Sequence, residues 1–147
     1  MTAIDTTAPS QTESLSFEFD LHHSPAKVWR ALTDPVLLTE WLLPVVGFEL
    51  EPGAEFTFQA PTVVPGWDGT VNCRFIEIEA QRQLMYTWVV PGMETVVTFT
   101  LTPTASGTRL TLVQSGFKQD QKKNWGGARY GWRLMGGRLV DMLDRVA

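Results

Sequence analysis

The side chains of this 147-residue chain that could do chemistry are few and scattered. His22 and His23 are its two histidines and Cys73 its one cysteine. Adjacent residues on a strand point to opposite faces, so the histidine pair cannot chelate one ion together. A zinc site would then need carboxylates whose spacing nothing specifies, and neither a metal nor a cofactor is implied. No G-x-S-x-G turn is present to strain a serine into a nucleophile. Gly126-Gly127 lacks the lysine and the strand-to-helix context of a phosphate-cradling loop. A site must therefore come from isolated polar groups projecting into an apolar cavity. Gln114 leads these, because it continues the row of Leu110 and Leu112. As a buried amide it would either orient a ligand carbonyl or hydroxyl, or bond to backbone near the end of its strand. Tyr86 and Trp88 each carry one polar handle on an apolar body, which suits a ligand wall and a core equally. Arg74 and Arg133 could pair with a carboxylate, although Arg133 falls at the edge of a helix stripe. Glu77 reads as solvated. His23, at the end of a strand beside a helix cap, reads as structural.

Composition bounds what could hold such groups in place. The length suits a single domain, large enough to bury about 68–70% of its unfolded surface in one core. Six Trp and eight Phe within 44% hydrophobic residues make the chain globular and rich in large flat side chains. Those side chains serve either a core or an aromatic-lined pocket. A net charge of −4 without a basic run argues against nucleic acid and against an anionic membrane surface. One cysteine excludes an internal disulfide framework, and the expected compartment is the cytoplasm.

Residues 1–14 have neither a positive start nor an apolar run and read as a disordered polar tail, with the domain spanning 15–147. Leu15, Phe17, Phe19 and Leu21 then alternate with polar residues, the period of a strand with one buried face. Ser24-Pro25 and Asp34-Pro35 are helix starts, each a capping side chain followed by a ring that presets φ. They predict two short helices, the second stopped by Pro44. From Val45 the period is two. Phe48 and Leu50, the turn Glu51-Pro52-Gly53, and Phe56 and Phe58 predict a hairpin. A Pro- and Gly-rich loop, Pro61 to Gly69, carries Trp67. Four strands follow, Thr70 to Glu79, Leu84 to Val90, Thr95 to Pro103 and Thr108 to Ser115. In the first of these Val71, Cys73 and Phe75 share one face while Ile76 and Ile78 share the other, so a bulge is expected near Phe75.

The last element is a helix from Trp125 to Val146. On a 100° wheel Trp125, Ala128, Trp132, Met135, Gly136, Leu139, Met142, Leu143 and Val146 share one face. Lys123, Arg138, Asp141, Asp144 and Arg145 take the other. Glycine costs about 0.8–1 kcal/mol at an interior helical position. Gly136, inside the apolar stripe, therefore marks either close packing against a backbone or room for a ligand. Tyr130 and Leu134 lie on the polar side one turn apart and could form a patch for self-association into a homodimer.

No helices separate the later strands, which excludes a parallel α/β sheet. The expected fold is α+β: a curved antiparallel sheet of about six or seven strands wrapped on the long C-terminal helix, with two short helices after the first strand. Several ordered segments carry a family resemblance. They are Asp34-Pro35 through Leu38 to Trp41, Gly69-Thr70-Val71 through Ile78 to Leu84-Met85-Tyr86-Thr87-Trp88, Gly107-Thr108-Arg109-Leu110-Thr111-Leu112 to Ser115-Gly116-Phe117, and Gly131-Trp132. Together they resemble the single-domain bacterial homologues of the activator of heat-shock protein 90 ATPase, within the START-like, birch-pollen-allergen-like helix-grip superfamily.

That resemblance covers roughly residues 15–146 and implies a cavity for apolar molecules. Many relatives have a histidine where this chain has Gln114, which takes away an imidazole in the cavity. The eukaryotic co-chaperones of this kind carry a further N-terminal domain with no counterpart here, so chaperone association ranks third among the functions. First is binding of a small hydrophobic or aromatic molecule, without membrane insertion. The expected contacts are Trp132, Met135, Gly136 and Leu139 on the helix with Phe58, Trp67, Tyr86, Trp88, Phe99 and Gln114 on the sheet and its loop. Second is a cyclase or hydrolase of an aromatic or polyketide-like substrate in the same cavity, which would need two converging polar groups with shifted pKa values.

Overall fold

Leu15, Phe17, Phe19 and Leu21 are buried and the residues between them are not, so the first long strand forms where the period-two pattern begins. The computed structural model describes residues 3–6, 14–61, 65–118 and 122–146. In chain order these form β1 (Ala3–Asp5), β2 (Ser14–Leu21), α1 (Pro25–Thr33), α2 (Pro35–Trp41), β3 (Val45–Val46), β4 (Glu55–Gln59), β5 (Thr70–Glu79), β6 (Gln83–Val90), β7 (Met93–Thr104), β8 (Gly107–Ser115) and α3 (Lys122–Arg145). The strands make one antiparallel sheet in the order β1-β2-β8-β7-β6-β5-β4-β3. Six longer strands are thus flanked by the very short β1 and β3. The buried rows of these strands face α3, which completes an α+β helix-grip architecture.

Both short helices start as their sequences dictate. The Lys27 N–H donates to Ser24 Oγ at 3.2 Å, and the Val36 N–H donates to Asp34 Oδ1 at 2.9 Å. Each cap satisfies one orphan amide and is worth about 1 kcal/mol. The bulge on β5 is present as well, the register with β6 shifting between Phe75 and Glu77. At the β7–β8 turn Gly107 is required by space, since a Cβ there would lie 2.2 Å from the Leu21 carbonyl oxygen.

Two expectations are corrected. Residues 3–5 of the supposed tail are a strand: Ala3 pairs with Phe19 and Asp5 with Phe17, while residues 1–2 and 7–13 lie outside the described ones. The hairpin forms one step earlier than its apolar pattern suggested, with Val45 opposite Phe58 and Val46 opposite Thr57. Gly47, at φ +74°, turns the chain out of the sheet before Phe48. Phe48 still faces inward, with its ring edge-on to Phe56 at 5.0 Å and to Phe75 at 5.3 Å. Its period-two relation to Leu50 therefore marks a loop residue that reaches the core rather than a strand.

Candidate functional site

The space between sheet and helix is filled by the chain's own rings. Phe56 packs on Phe58, Phe75 and Tyr86 with centroids 4.6–5.5 Å apart. Trp88 lies 5.5 Å from both Phe58 and Trp132, and Phe99 meets Trp132 and Tyr86 at 6.1 Å and Trp41 at 6.4 Å. Offset and edge-on pairs of this kind add about 0.5–1.5 kcal/mol each beyond the area they bury. Phe58, Tyr86, Phe99, Trp132 and Leu139 are each at most 2% exposed and serve as core.

Gln114 is committed in the same way. The Trp132 N–H donates to Gln114 Oε1 at 2.8 Å, the Gln114 amide donates to Thr95 Oγ1 at 2.9 Å, and the Thr95 hydroxyl donates to the Trp88 carbonyl at 2.8 Å. This chain of bonds ties α3 to β8, β7 and β6 through the core. It also fixes the Gln114 amide orientation, because an indole N–H can only donate. Burial pushes the pKa of the Tyr86 phenol well above its usual range, with the neighbouring Cys73 adding to it. Burial likewise pushes the Cys73 thiol up. Both groups stay protonated and neutral, which suits a core and disqualifies either as a base near neutral pH.

A cavity of about 350 Å³ opens at the end of this core. Trp67 from the loop before β5, Val71 on β5, Trp88 and Val90 on β6 and Met93 on β7 form its sheet side. The first turns of α3 face them with Asn124, Gly127 and Ala128, and Leu43 and Ala60 complete the wall. Trp67 is held there by its own N–H, which donates to the Thr70 carbonyl at 2.8 Å. The turn between them is pinned by Asp68, whose carboxylate accepts from the Thr70 N–H at 3.0 Å. Those bonds to Thr70 hold the Asp68 pKa below its usual value. A larger depression of about 520 Å³ adjoins the cavity at Val90 and Met93. It is polar, running over Asn72, Glu94 and Lys118 at the β6–β7 turn.

Of the ten residues proposed from sequence, the structure brings Trp67 and Trp88 to the cavity wall. Met135 is half-buried and Gly136 buried on the core face of α3, and the cavity lining includes neither. The cavity lies two turns nearer the helix N-terminus, beside the small residues Gly127 and Ala128. Their smallness, opposite a Pro- and Gly-rich loop bearing a tryptophan, was the signal available in the sequence.

The remaining polar candidates lie elsewhere. Arg74 pairs with Glu55 on the exposed sheet face, where Gln83 also bonds Glu77 at 3.4 Å. Arg133 donates to Asp5 at 3.0 Å. His23 joins α1 to the end of α3: its Nδ1 accepts from Lys27 Nζ at 3.2 Å, and its Nε2 faces Asp144 Oδ1 at 3.0 Å. An ammonium can only donate, so the proton of neutral His23 sits on Nε2 and is donated to Asp144. Tyr130 and Leu134 are exposed. Among the described residues no group of three His, Cys, Asp or Glu side chains is placed to hold a metal ion.

Residues 22–144 match the family described as "Activator of Hsp90 ATPase homolog 1-like protein". The chain belongs to that family. Among solved structures, a Mesorhizobium loti protein is 38% identical with a TM-score of 0.83, covering 91% of this chain and 98% of its own. A Nitrosomonas europaea protein is 25% identical, with a TM-score of 0.75 and coverage of 95% and 99%. One from Rhodobacter sphaeroides shares the fold at 22% identity, with a TM-score of 0.77 and coverage of 99% and 100%. No curated protein matches the sequence. In this Activator of Hsp90 ATPase homolog 1-like chain no described helix is long and apolar enough to cross a membrane.

Proposed function

We propose that the protein binds a small, neutral, apolar or aromatic molecule in the cavity between the first turns of α3 and the ends of β5, β6 and β7. The observation that carries this reading is the lining itself: among the described residues it is formed by ten, two of them indoles, and none of these ten has an ionisable side chain. An ionised ligand would lose its hydration there with no countercharge, a cost of several kcal/mol. The volume of about 350 Å³ lies within the ordinary range for small-molecule sites. Trp67 and Trp88 offer rigid flat walls whose burial by a ligand supplies most of the driving force. Among its described residues the lining provides no acid–base pair for a cyclase or hydrolase, so binding is the function it supports best.

Gly127 allows a direct test. A Cβ built there meets nothing within 4 Å, so Gly127→Leu fits the fold and removes the helical penalty of glycine, stabilising α3 by about 0.8 kcal/mol. Its side chain covers the cavity mouth. Titration with prodan, a neutral solvatochromic naphthalene, should show affinity falling about tenfold or more in Gly127→Leu. Gly137→Leu, equally open but outside the lining, should leave affinity unchanged. A wild-type protein that does not bind prodan, or a Gly127→Leu variant that binds it as tightly, would remove the cavity as the site.

A further inference from the structure

The four indole N–H groups of Trp41, Trp67, Trp125 and Trp132 donate to the Ala31 carbonyl, the Thr70 carbonyl, the Ser14 carbonyl and Gln114 Oε1. Trp88 is different. Its side chain is 9% exposed, wedged against Phe58 and Trp132, yet among the described residues nothing accepts its N–H. No fully buried side-chain nitrogen or oxygen among them lacks a partner, so the Trp88 N–H keeps access to solvent. The opening that Trp88 lines is the apolar cavity.

We infer that the Trp88 N–H is the specificity-determining donor of this cavity, and that the ligand is a flat apolar molecule bearing a neutral acceptor oxygen, a ketone, quinone or aryl ether. The inference rests on the cavity reading above and adds the one directional contact that reading leaves open. Apolar walls hold any hydrocarbon of suitable size and discriminate little among them. A rigid donor on a nearly buried ring discriminates, because a ligand without an acceptor strips the N–H of water and leaves it unpaired. No described lining residue supplies a charge to offset the desolvation of a carboxylate, so the site selects a neutral oxygen. Trp88 is held in place from behind as well: its carbonyl accepts from Thr95, which Gln114 fixes. The hydrogen-bond chain through the core thereby positions the donor without touching the ligand.

Fluorene and fluorenone, the same flat skeleton without and with a carbonyl, make a matched pair of probes. Trp88→Phe removes the N–H and keeps an aromatic ring. Comparing its effect on the two probes cancels their different solubilities. Fluorenone affinity should fall about fivefold more than fluorene affinity in Trp88→Phe, the worth of one neutral hydrogen bond. Trp67→Phe, whose N–H is already donated to Thr70, should weaken both probes alike. Indole nitrogen–proton spectra of the unaltered protein read the same contact independently of how the variants fold. The Trp88 signal should move downfield with fluorenone and not with fluorene. Equal losses for both probes in Trp88→Phe, or a Trp88 signal that responds alike to both, overturn the donor while leaving the cavity. Binding of neither probe overturns the cavity and the donor together.

Discussion

Trp132 of α3 and Gln114 of β8 meet through a single bond, the indole N–H to Oε1 at 2.8 Å, in a core where Gln114 is 1% exposed. The helix that closes the sheet is therefore keyed to it by direction as well as by apolar contact. A helix seated only by ring packing can slide by fractions of a turn at small cost. One buried donor that must find one acceptor fixes the register, because every other position leaves it unpaired. The same bond orients the amide that fixes Thr95, so the position of α3 and the backbone of β6 at Trp88 are coupled.

Gln114→Leu tests whether the amide is structural. It leaves the buried Trp132 N–H without an acceptor, and the expected loss of stability is about 1–3 kcal/mol, read from the urea midpoint. Prodan affinity should fall by no more than about fivefold, since Gln114 is not in the cavity wall and reaches the ligand only through Thr95 and the Trp88 donor. A variant of unchanged stability that no longer binds the probe would make Gln114 a ligand contact instead.

The six longer strands, the two capped helices, the bulge at Phe75 and the buried face of α3 were legible because each depends on local spacing or on a cap residue. Parity places Phe58, Tyr86, Phe99 and Trp132 on inward faces, and they are inward. It says nothing about how closely two inward faces approach. Whether those rings line a cavity or fill it is decided by the distance between helix and sheet, and here they fill it at centroid separations of 6.1–6.2 Å. The opening falls instead where Gly127 and Ala128 face Trp67, three residues separated by 60 positions along the chain whose juxtaposition no periodicity encodes. The strand Ala3–Asp5 was hidden for another reason. Three residues in a polar surround show no alternation, and what holds them is β2 together with two arginines of a distant helix.

Asp5→Ala should release that strand. The Asp5 carboxylate, 14% exposed, takes both Arg129 Nε and Arg133 Nη2, so its loss leaves two guanidinium groups facing each other. A partly buried shared pair of this kind contributes about 1 kcal/mol after allowance for solvent screening at Arg133. The local readout is more telling than the global one. The Thr6 N–H donates to the Ser16 carbonyl at 2.8 Å, and its exchange with deuterium should accelerate about tenfold in the variant. Salt at about 1 M, where the Debye length is near 3 Å, should narrow the difference from wild type. Thr6 exchange unaffected by the substitution would mean that pairing to β2 alone holds β1.

Cys73 and Tyr86 predict how the fold fails in base. Burial raises both acids, so the folded chain keeps their protons at a pH where the unfolded chain gives them up, Cys73 from about 9 and Tyr86 from about 10. Below those values the two states carry the same protons and neither group makes stability depend on pH. Above them the folded state binds more protons than the unfolded one. Stability must then fall as pH rises, by about 1.4 kcal/mol per pH unit for each group engaged. Cys73→Ala removes one of the two. It costs about 1 kcal/mol near neutrality through lost packing, and it should flatten the decline between about pH 9 and 10, where Cys73 acts alone. Urea unfolding at three pH values for both proteins measures this, with a dithiol-exchange reagent confirming that the native thiol is unreactive until the chain unfolds. Parallel declines in the two proteins would show that Cys73 reaches water in the folded state, against its 4% exposure.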